Sequence, residues 1–149
     1  MNLKQKIHAH YLQLVDEKIA MLQQVLADLK ESGSNETKST AGDKHETALA
    51  MLQIEQANKR TQLQELVAQK NSMEKIDPAI TAPIIVNGSL VKTNRGYLFM
   101  STALGRAVVD DTPVIALSAQ SPLGQKLMGL KPGETTAINQ VEYIIETIA

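Results

Sequence analysis

Residues 12–29 read LQLVDEKIAMLQQVLADL, and this stretch decides the fold of the first half of the chain. Its large aliphatic residues recur at alternating steps of three and four: Leu12, Val15, Ile19, Leu22, Leu26 and Leu29. This spacing is typical of a coiled-coil seam, in which one stripe of a helix packs against a neighbouring helix. The stretch therefore predicts a long helix that needs a helical partner.

A second stripe with the same spacing supplies that partner. Its members are Leu49, Leu52, Gln56, Lys59, Leu63 and Leu66. If the chain folds back on itself, each residue of one stripe faces a residue of the other, and the two residue numbers add to 74 or 75. This register pairs Leu26 with Leu49, Leu22 with Leu52 and Leu12 with Leu63. The helix-breaking sequence Ser-Gly-Ser-Asn at 32–35 would then form the turn of an antiparallel hairpin. Pairing of the stripes between two chains is the alternative.

Composition limits the classes of function that the chain can serve. With 149 residues, 43% of them hydrophobic, it can form one domain or two small ones, and its few aromatic residues predict a mainly aliphatic core. The formal net charge of -1 gives no general attraction to nucleic acid. The absence of cysteine excludes a disulfide framework and a thiolate zinc site.

The first residues, 1–6, are mostly polar and do not resemble a secretory signal, and no apolar run approaches the length of a membrane span. We therefore expect a soluble, cytoplasmic protein without membrane contact.

Proline usage divides the chain. All five prolines fall between Pro78 and Pro132, whereas residues 1–75 are rich in Gln, Lys, Glu, Leu and Ala. A residue that precedes proline is disfavoured in a helix, so Asp77 should mark the boundary. We expect a helical hairpin over 1–77 and a turn-rich domain over 78–149.

The second half alternates between short strand-like runs and turns. We expect strands at 89–93, 97–101, 107–109, 114–118, 135–138 and 141–148, with turns at 94–96 and 110–113. Ser121 followed by Pro122 predicts the start of a short helix, which Gly129 closes. The predicted fold class is α+β, with an antiparallel helical hairpin before a small antiparallel sheet that carries one short helix.

An acidic cluster, Asp43-Lys44-His45-Glu46, lies close to the predicted turn of the hairpin. Its first and last residues have the form of a capping box, in which Asp43 caps a helix and Glu46 reaches back to it. The same two carboxylates at the end of a helical rod could also serve a function there. The two interpretations are compatible.

Two motifs together resemble a known family. The pattern Ser118-x-x-Ser121-Pro122-Leu123-Gly124-x-x-Leu127-Met128-Gly129, followed by Glu134, resembles the C-terminal signature of the Gre-type (GreA/GreB) transcript cleavage factors. The segment 42–46, Gly-Asp-Lys-His-Glu, is similar to that family's tip motif, Gly-Asp-Leu-x-Glu-Asn. The resemblance implies a coiled-coil hairpin followed by a small FKBP-like domain.

The resemblance also implies a function. Gre-type factors bind bacterial RNA polymerase at its secondary channel and extend the hairpin toward the active site. There the tip carboxylates help to hold a second Mg²⁺ and orient the water that cleaves backtracked RNA. By this resemblance, Asp43 and Glu46 are the donated catalytic groups and ligands of a Mg²⁺ shared with polymerase, while Ser121, Pro122 and Gly124 belong to the polymerase-docking surface.

The same resemblance predicts a chain that is not an enzyme by itself, binds no cofactor alone and meets the RNA 3′ end only indirectly. The oligomeric state stays open, with a monomer as the expectation. An FKBP-like fold also brings prolyl isomerase activity into consideration. That activity needs a pocket lined by several aromatic residues. With only Tyr97, Phe99 and Tyr143 in this half, we set that activity aside.

Departures from the family's tip motif keep two alternatives open. Lys44 stands where the family has a hydrophobic residue, and Thr47 follows Glu46 where the family has Asn. One alternative is a regulator of the same shape that binds the channel without stimulating cleavage. The other is a coiled-coil adaptor or dimerisation module. A basic stripe of Lys59 and Arg60 with Lys38 and Lys44 could contact RNA, although mixed charge nearby favours a solvated helix face.

Overall fold

Two long helices begin the structure, a computed structural model that describes residues 1–36 and 43–149. The side chains of residues 34–36 and 43–45 lie outside that description. Helix α1 spans Leu3–Glu36 and helix α2 spans Asp43–Glu74. At about 1.5 Å per residue, each helix is about 50 Å long. The helical first half predicted from the two stripes is confirmed.

Six strands and one short helix follow. They are β1 Leu90–Thr93, β2 Gly96–Ser101, β3 Gly105–Val109, β4 Thr112–Ser118, α3 Pro122–Leu127, β5 Thr135–Ile138 and β6 Val141–Ile148. Positive φ angles at Asp110 and Asp111 form the tight turn between β3 and β4, and Asn139 and Gln140 do the same between β5 and β6. The predicted α+β class is confirmed, and each predicted strand corresponds to an observed one.

The sheet has the order β3-β4-β2-β1-β6-β5 and is antiparallel except for one pair. Strands β2 and β4 are parallel, with Leu98 paired to Ile115. The predicted sheet was wholly antiparallel, and this pair differs because β3 occupies the sheet edge. The β3–β4 hairpin thereby brings β4 back beside β2 in the same direction.

By its contacts the chain forms two compact units, Met1–Gln13 with Asn71–Ala149, and Leu14–Lys70. The division runs through both long helices and does not follow the junction at Asp77 and Pro78. The domain limits of 1–77 and 78–149 therefore stay a prediction.

In the first unit, both faces of the sheet are covered. One face carries a mostly aliphatic core cluster made of Ile85, Val91, Leu98, Met100, Leu117, Leu127 and Ile145. The other face carries Phe99, whose ring stacks on Tyr11 of α1 at a centroid distance of 6.3 Å. Both rings are fully buried, so the core predicted to be aliphatic also contains two of the four aromatic residues.

Hydrogen bonds attach the start of α1 to its neighbours in this unit. The Tyr11 hydroxyl donates to the Gly105 carbonyl oxygen at 2.7 Å. His8 Nε2 donates to the Met73 carbonyl oxygen at 2.8 Å, which joins α1 to the end of α2. Lys6 forms an exposed ion pair with Asp110 in the β3–β4 turn.

In the second unit, α1 and α2 pack side by side in opposite directions. Lys70 Nζ lies 2.7 Å from Asp16 Oδ1, and Leu22 and Leu66 line the same groove between the helices. Every residue of the two predicted stripes is at least half-buried, including Gln56 and Lys59. The coiled-coil seams read from the sequence are therefore correct, and the pairing lies within one chain.

The predicted register of the hairpin is wrong. Leu22 lines a groove together with Leu66. Its predicted partner, Leu52, instead lies near Gly33. A coiled-coil stripe recurs at steps of three and four residues, so sliding one helix along the other by whole turns again brings stripe against stripe. The stripe thus fits both registers equally well, and the spacing alone could not choose between them.

The predicted turn at 32–35 is wrong for the same reason, because α1 continues through these residues to Glu36. One glycine in a helix costs only about 1 kcal/mol relative to alanine, which packing along the seam can offset. A β-carbon at Gly33 would stand 3.1 Å from Leu52 Cδ2, so the two helices approach closely at this glycine.

The register can be tested by mutant coupling. We expect Leu22→Ala and Leu66→Ala to show a coupling energy of about 1 kcal/mol in urea unfolding, because the side chains share one groove. Leu22→Ala and Leu52→Ala should be additive to within about 0.5 kcal/mol. The reverse result, with coupling to Leu52 alone, would restore the register read from the sequence.

Candidate functional site

The acidic cluster lies at the beginning of α2. Asp43 is the first residue of this helix, and Glu46 lies one turn further along with an exposed side chain. Positions 43 and 46 are three apart along α2, and backbone positions with that spacing lie on the same side of a helix. The Asp43 side chain lies outside the described residues, as do the side chains of Lys44 and His45 and the whole of Lys38 and Gly42.

A helix N-terminus favours negative charge, because its first N–H groups are free and the helix dipole is positive there. Negative charge at positions 43 and 46 therefore suits this end of α2, whereas the capping box itself stays a prediction. It does not conflict with metal binding, since each ionised carboxylate has several acceptor sites. Among the described side chains no group of three His, Asp or Glu residues could hold a metal. Two carboxylates suit a Mg²⁺ that takes its remaining ligands from another molecule.

The second candidate site begins at Ser121, the N-cap of α3. Its Oγ accepts a hydrogen bond from the Gly124 N–H at 3.0 Å and donates one to the Ser118 carbonyl oxygen at 2.7 Å. Gly124 is buried, and a β-carbon there would stand 2.0 Å from the same carbonyl oxygen. Ser121 and Gly124 therefore shape the turn before α3.

Pro122, at the first position of α3, is exposed. Of the three residues assigned to docking by resemblance, it offers the most accessible side chain. A docking role for Ser121, Pro122 and Gly124 stays a prediction.

Two other sequence candidates are separated by the structure. Lys59 lies half-buried on the seam of α2, whereas its neighbour Arg60 is exposed. Phe99 faces Tyr11 on one side of the sheet, and Tyr143 packs on the core cluster on the other side. The aromatic residues of the sheet thus do not form a single pocket.

Sequence reasoning missed Lys4, which is only 5% exposed. Its Nζ donates to the Ile80 carbonyl oxygen at 2.6 Å. Burial lowers the pKa of the Lys4 amine, and the nearby Asp77 carboxylate partly opposes that shift. The sequence signal was present, because Lys4, His8 and Tyr11 extend the seam of α1 toward its start at the same steps of three and four.

Comparisons with known proteins were made at the level of families, curated proteins and solved structures. No protein-family model matches the chain, and no curated protein matches it. A solved structure described as "Structure of the transcription factor Gfh1" is similar over 96% of this chain and 91% of its own, with 15% sequence identity and a TM-score of 0.35. At that TM-score the similarity carries no weight for function.

Membrane insertion through a helix finds no support in the part of the chain that the structure describes. Neither α1 nor α2 contains a segment apolar enough to cross a bilayer.

The packing role of Gly124 can be measured. We expect Gly124→Ala to destabilise the fold by about 3 kcal/mol, because the added methyl group overlaps a backbone oxygen that cannot easily move. Lys126→Ala, at an exposed position of the same helix, should change stability by less than about 0.5 kcal/mol. Chemical denaturation measures the free energy of unfolding of both variants. Equal values would contradict the packing role of Gly124.

Lys4 should make stability depend on pH. The folded-state pKa of Lys4 is lowered, so between that pKa and its usual value the unfolded chain binds more protons than the folded one. The Lys4 contribution to stability therefore rises with pH through this window. We expect a smaller rise in the Lys4→Met variant, measured by urea unfolding from neutral pH to just below the usual lysine pKa. Identical slopes in the two proteins would contradict the shift.

Proposed function

We propose that this protein is a transcription factor of the Gre type, which binds bacterial RNA polymerase at the secondary channel and stimulates cleavage of backtracked RNA. The observation that carries the proposal is the position of the acidic cluster. Asp43 begins α2 and Glu46 is exposed one turn later, directly after the connection at 37–42 between two antiparallel helices. In a chain with a Gre-like motif at 118–134, this is where donated carboxylates would be needed.

The α+β architecture supports the proposal as well. Two helices about 50 Å long precede a small mixed sheet with one short helix, which is the order of elements that the resemblance implies. A helical hairpin suits insertion into a channel, and a surface of the sheet would serve for docking. The working location would be the cytoplasm, where bacterial RNA polymerase acts.

The chemistry would belong to polymerase. Hydrolysis of a phosphodiester by two metals requires a second Mg²⁺ beside the one that the polymerase retains, and additional oxygen ligands strengthen its binding. In the proposal, Asp43 is the first ligand, and Glu46 is a second ligand or the group that orients the attacking water. The chain itself then needs no catalytic centre and no cofactor of its own.

One feature favours a second candidate function. Lys44 lies between the two carboxylates in the sequence and carries a positive charge where the family has a hydrophobic residue. A cation beside the carboxylates weakens their attraction for Mg²⁺. The second candidate is therefore a regulator that enters the same channel and competes with cleavage factors without stimulating cleavage.

The two carboxylates can be tested by isosteric substitution. We expect the double variant Asp43→Asn, Glu46→Gln to lose stimulated RNA cleavage, because it removes both charges. Its thermal unfolding should change little, since Asn is as good an N-cap as Asp. The measurement is release of short 3′ RNA fragments from backtracked elongation complexes with Mg²⁺.

Glu55→Gln provides the matched control, because it removes an exposed carboxylate from the same helix about three turns away. It should cleave like the unmodified protein. Competition with a Gre factor but no fragments would support the second candidate. Failure to bind polymerase would exclude both, and activity that merely follows the folded fraction would leave only the capping role.

A further inference from the structure

A cavity in the first unit lies where the start of α1, the segment after α2 and the approach to β1 come together. Its volume is about 220 Å³, and its lining residues are Lys4, Lys75, Ile76, Asp77, Ile80, Ala82, Val86, Asn87, Gly88 and Ser89. At about 30 Å³ per water, it has room for about seven waters, or for a small molecule of about that many non-hydrogen atoms.

Burial divides these residues into a floor and a rim. Lys4, Ile76, Gly88 and Ser89 are buried and form the floor, whereas Lys75, Asp77, Ile80 and Asn87 are exposed and form the rim. The opening is therefore accessible from solvent, and the deepest charged group belongs to Lys4.

The Lys4 ammonium group has donors to spare. A lysine ammonium carries three N–H donors, and among the described residues the hydrogen bond to the Ile80 carbonyl oxygen uses one of them. The Ile80 residue that accepts this bond also lines the cavity. A buried charge is costly unless its hydrogen bonds are made, so the remaining donors favour an acceptor that enters from the cavity.

The charges around the cavity add to a net positive value. Lys4 and Lys75 contribute one positive charge each, and Asp77 contributes one negative charge. One oxygen of Asp77 already accepts a hydrogen bond from the Ala79 N–H at 2.9 Å. The excess of one positive charge favours a ligand with a single negative charge.

Apolar side chains line the same space. Ile76 contributes to the floor, and Val86 and Ala82 are half-buried beside it. These residues favour a ligand that carries a short hydrocarbon part beside its charged group.

We propose that this cavity binds a small organic monocarboxylate, whose carboxylate group accepts hydrogen bonds from the ammonium groups of Lys4 and Lys75. The Asn87 amide on the rim supplies a further donor. The hydrocarbon part of the ligand packs on Ile76 and Val86. This site is separate from the acidic cluster and from the turn before α3, and it does not depend on polymerase binding.

Titration with simple anions tests the proposal. Butyrate is the probe, because it combines one carboxylate with a short apolar chain, and acetate and chloride are compared with it at a constant ionic strength of about 0.1 M. We expect saturable shifts of the Gly88 and Ser89 backbone amide signals in NMR spectra of the full chain. Butyrate should bind most tightly, acetate more weakly, and chloride should give no saturable shift.

Two substitutions should change the affinity in opposite directions. Lys4→Met should weaken butyrate binding about tenfold or more, because it removes a charged hydrogen-bond donor. Asp77→Asn should strengthen binding about threefold, because it removes the opposing charge and keeps the oxygen that accepts from Ala79. A gain in affinity cannot arise from a partly unfolded protein.

Two control variants remove charges outside the cavity. Lys92→Ala removes an exposed ammonium group from β1, and Glu146→Gln removes an exposed carboxylate from β6. Neither residue lines the cavity, so both variants should bind butyrate like the unmodified protein.

Several results would overturn the proposal. The absence of saturable shifts at Gly88 and Ser89 would exclude a carboxylate site, and equal responses to butyrate and chloride would leave only general charge attraction. Equal butyrate affinities of the Asp77→Asn and Glu146→Gln variants would show that binding does not depend on the charge of the cavity. Saturable binding of inorganic phosphate in preference to butyrate would replace the monocarboxylate with a different ligand.

Discussion

The hydrogen bond from His8 Nε2 to the Met73 carbonyl oxygen, 2.8 Å long, fixes where α1 begins relative to where α2 ends. Around it, Tyr11 stacks on Phe99, and the buried His8 ring meets the same Phe99 ring edge-on. These aromatic contacts order the start of α1 against the sheet. With these ends of both helices fixed, the coiled-coil pattern can take only one of its equivalent registers, in which α1 continues through 32–35 to Glu36.

The register has a direct consequence for the acidic cluster. Helix α1 continues to Glu36 and α2 starts at Asp43, so Asp43 and Glu46 both occupy the first turn of α2. The same first turn stabilises carboxylates through the helix dipole. A capping role and a donated-ligand role are therefore compatible at this position.

Three polar residues, Lys4, His8 and Tyr11, continue the apolar seam of α1 toward its start. Their hydrogen-bonding surroundings differ. The His8 ring and the Tyr11 hydroxyl are each held by a carbonyl oxygen of the protein. Lys4 has a carbonyl acceptor as well, but its three donors exceed what that single oxygen can accept. Its burial beside an open cavity is therefore a feature that packing alone does not explain, whereas the burial of His8 and Tyr11 follows directly from the fit of α1 on the sheet.

The sequence by itself determined the element types: the coiled-coil seams, the short helix after Ser121, the strands and the α+β class. It did so because local periodicity and capping are written in neighbouring residues. Only the tertiary structure decided the hairpin register, the parallel pairing of β2 with β4 and the burial of Lys4. A seam of three and four steps meets its partner again after a shift of whole turns, and strand order depends on contacts between distant residues. The packing role of Gly124 likewise became visible only from its distance to the Ser118 carbonyl oxygen.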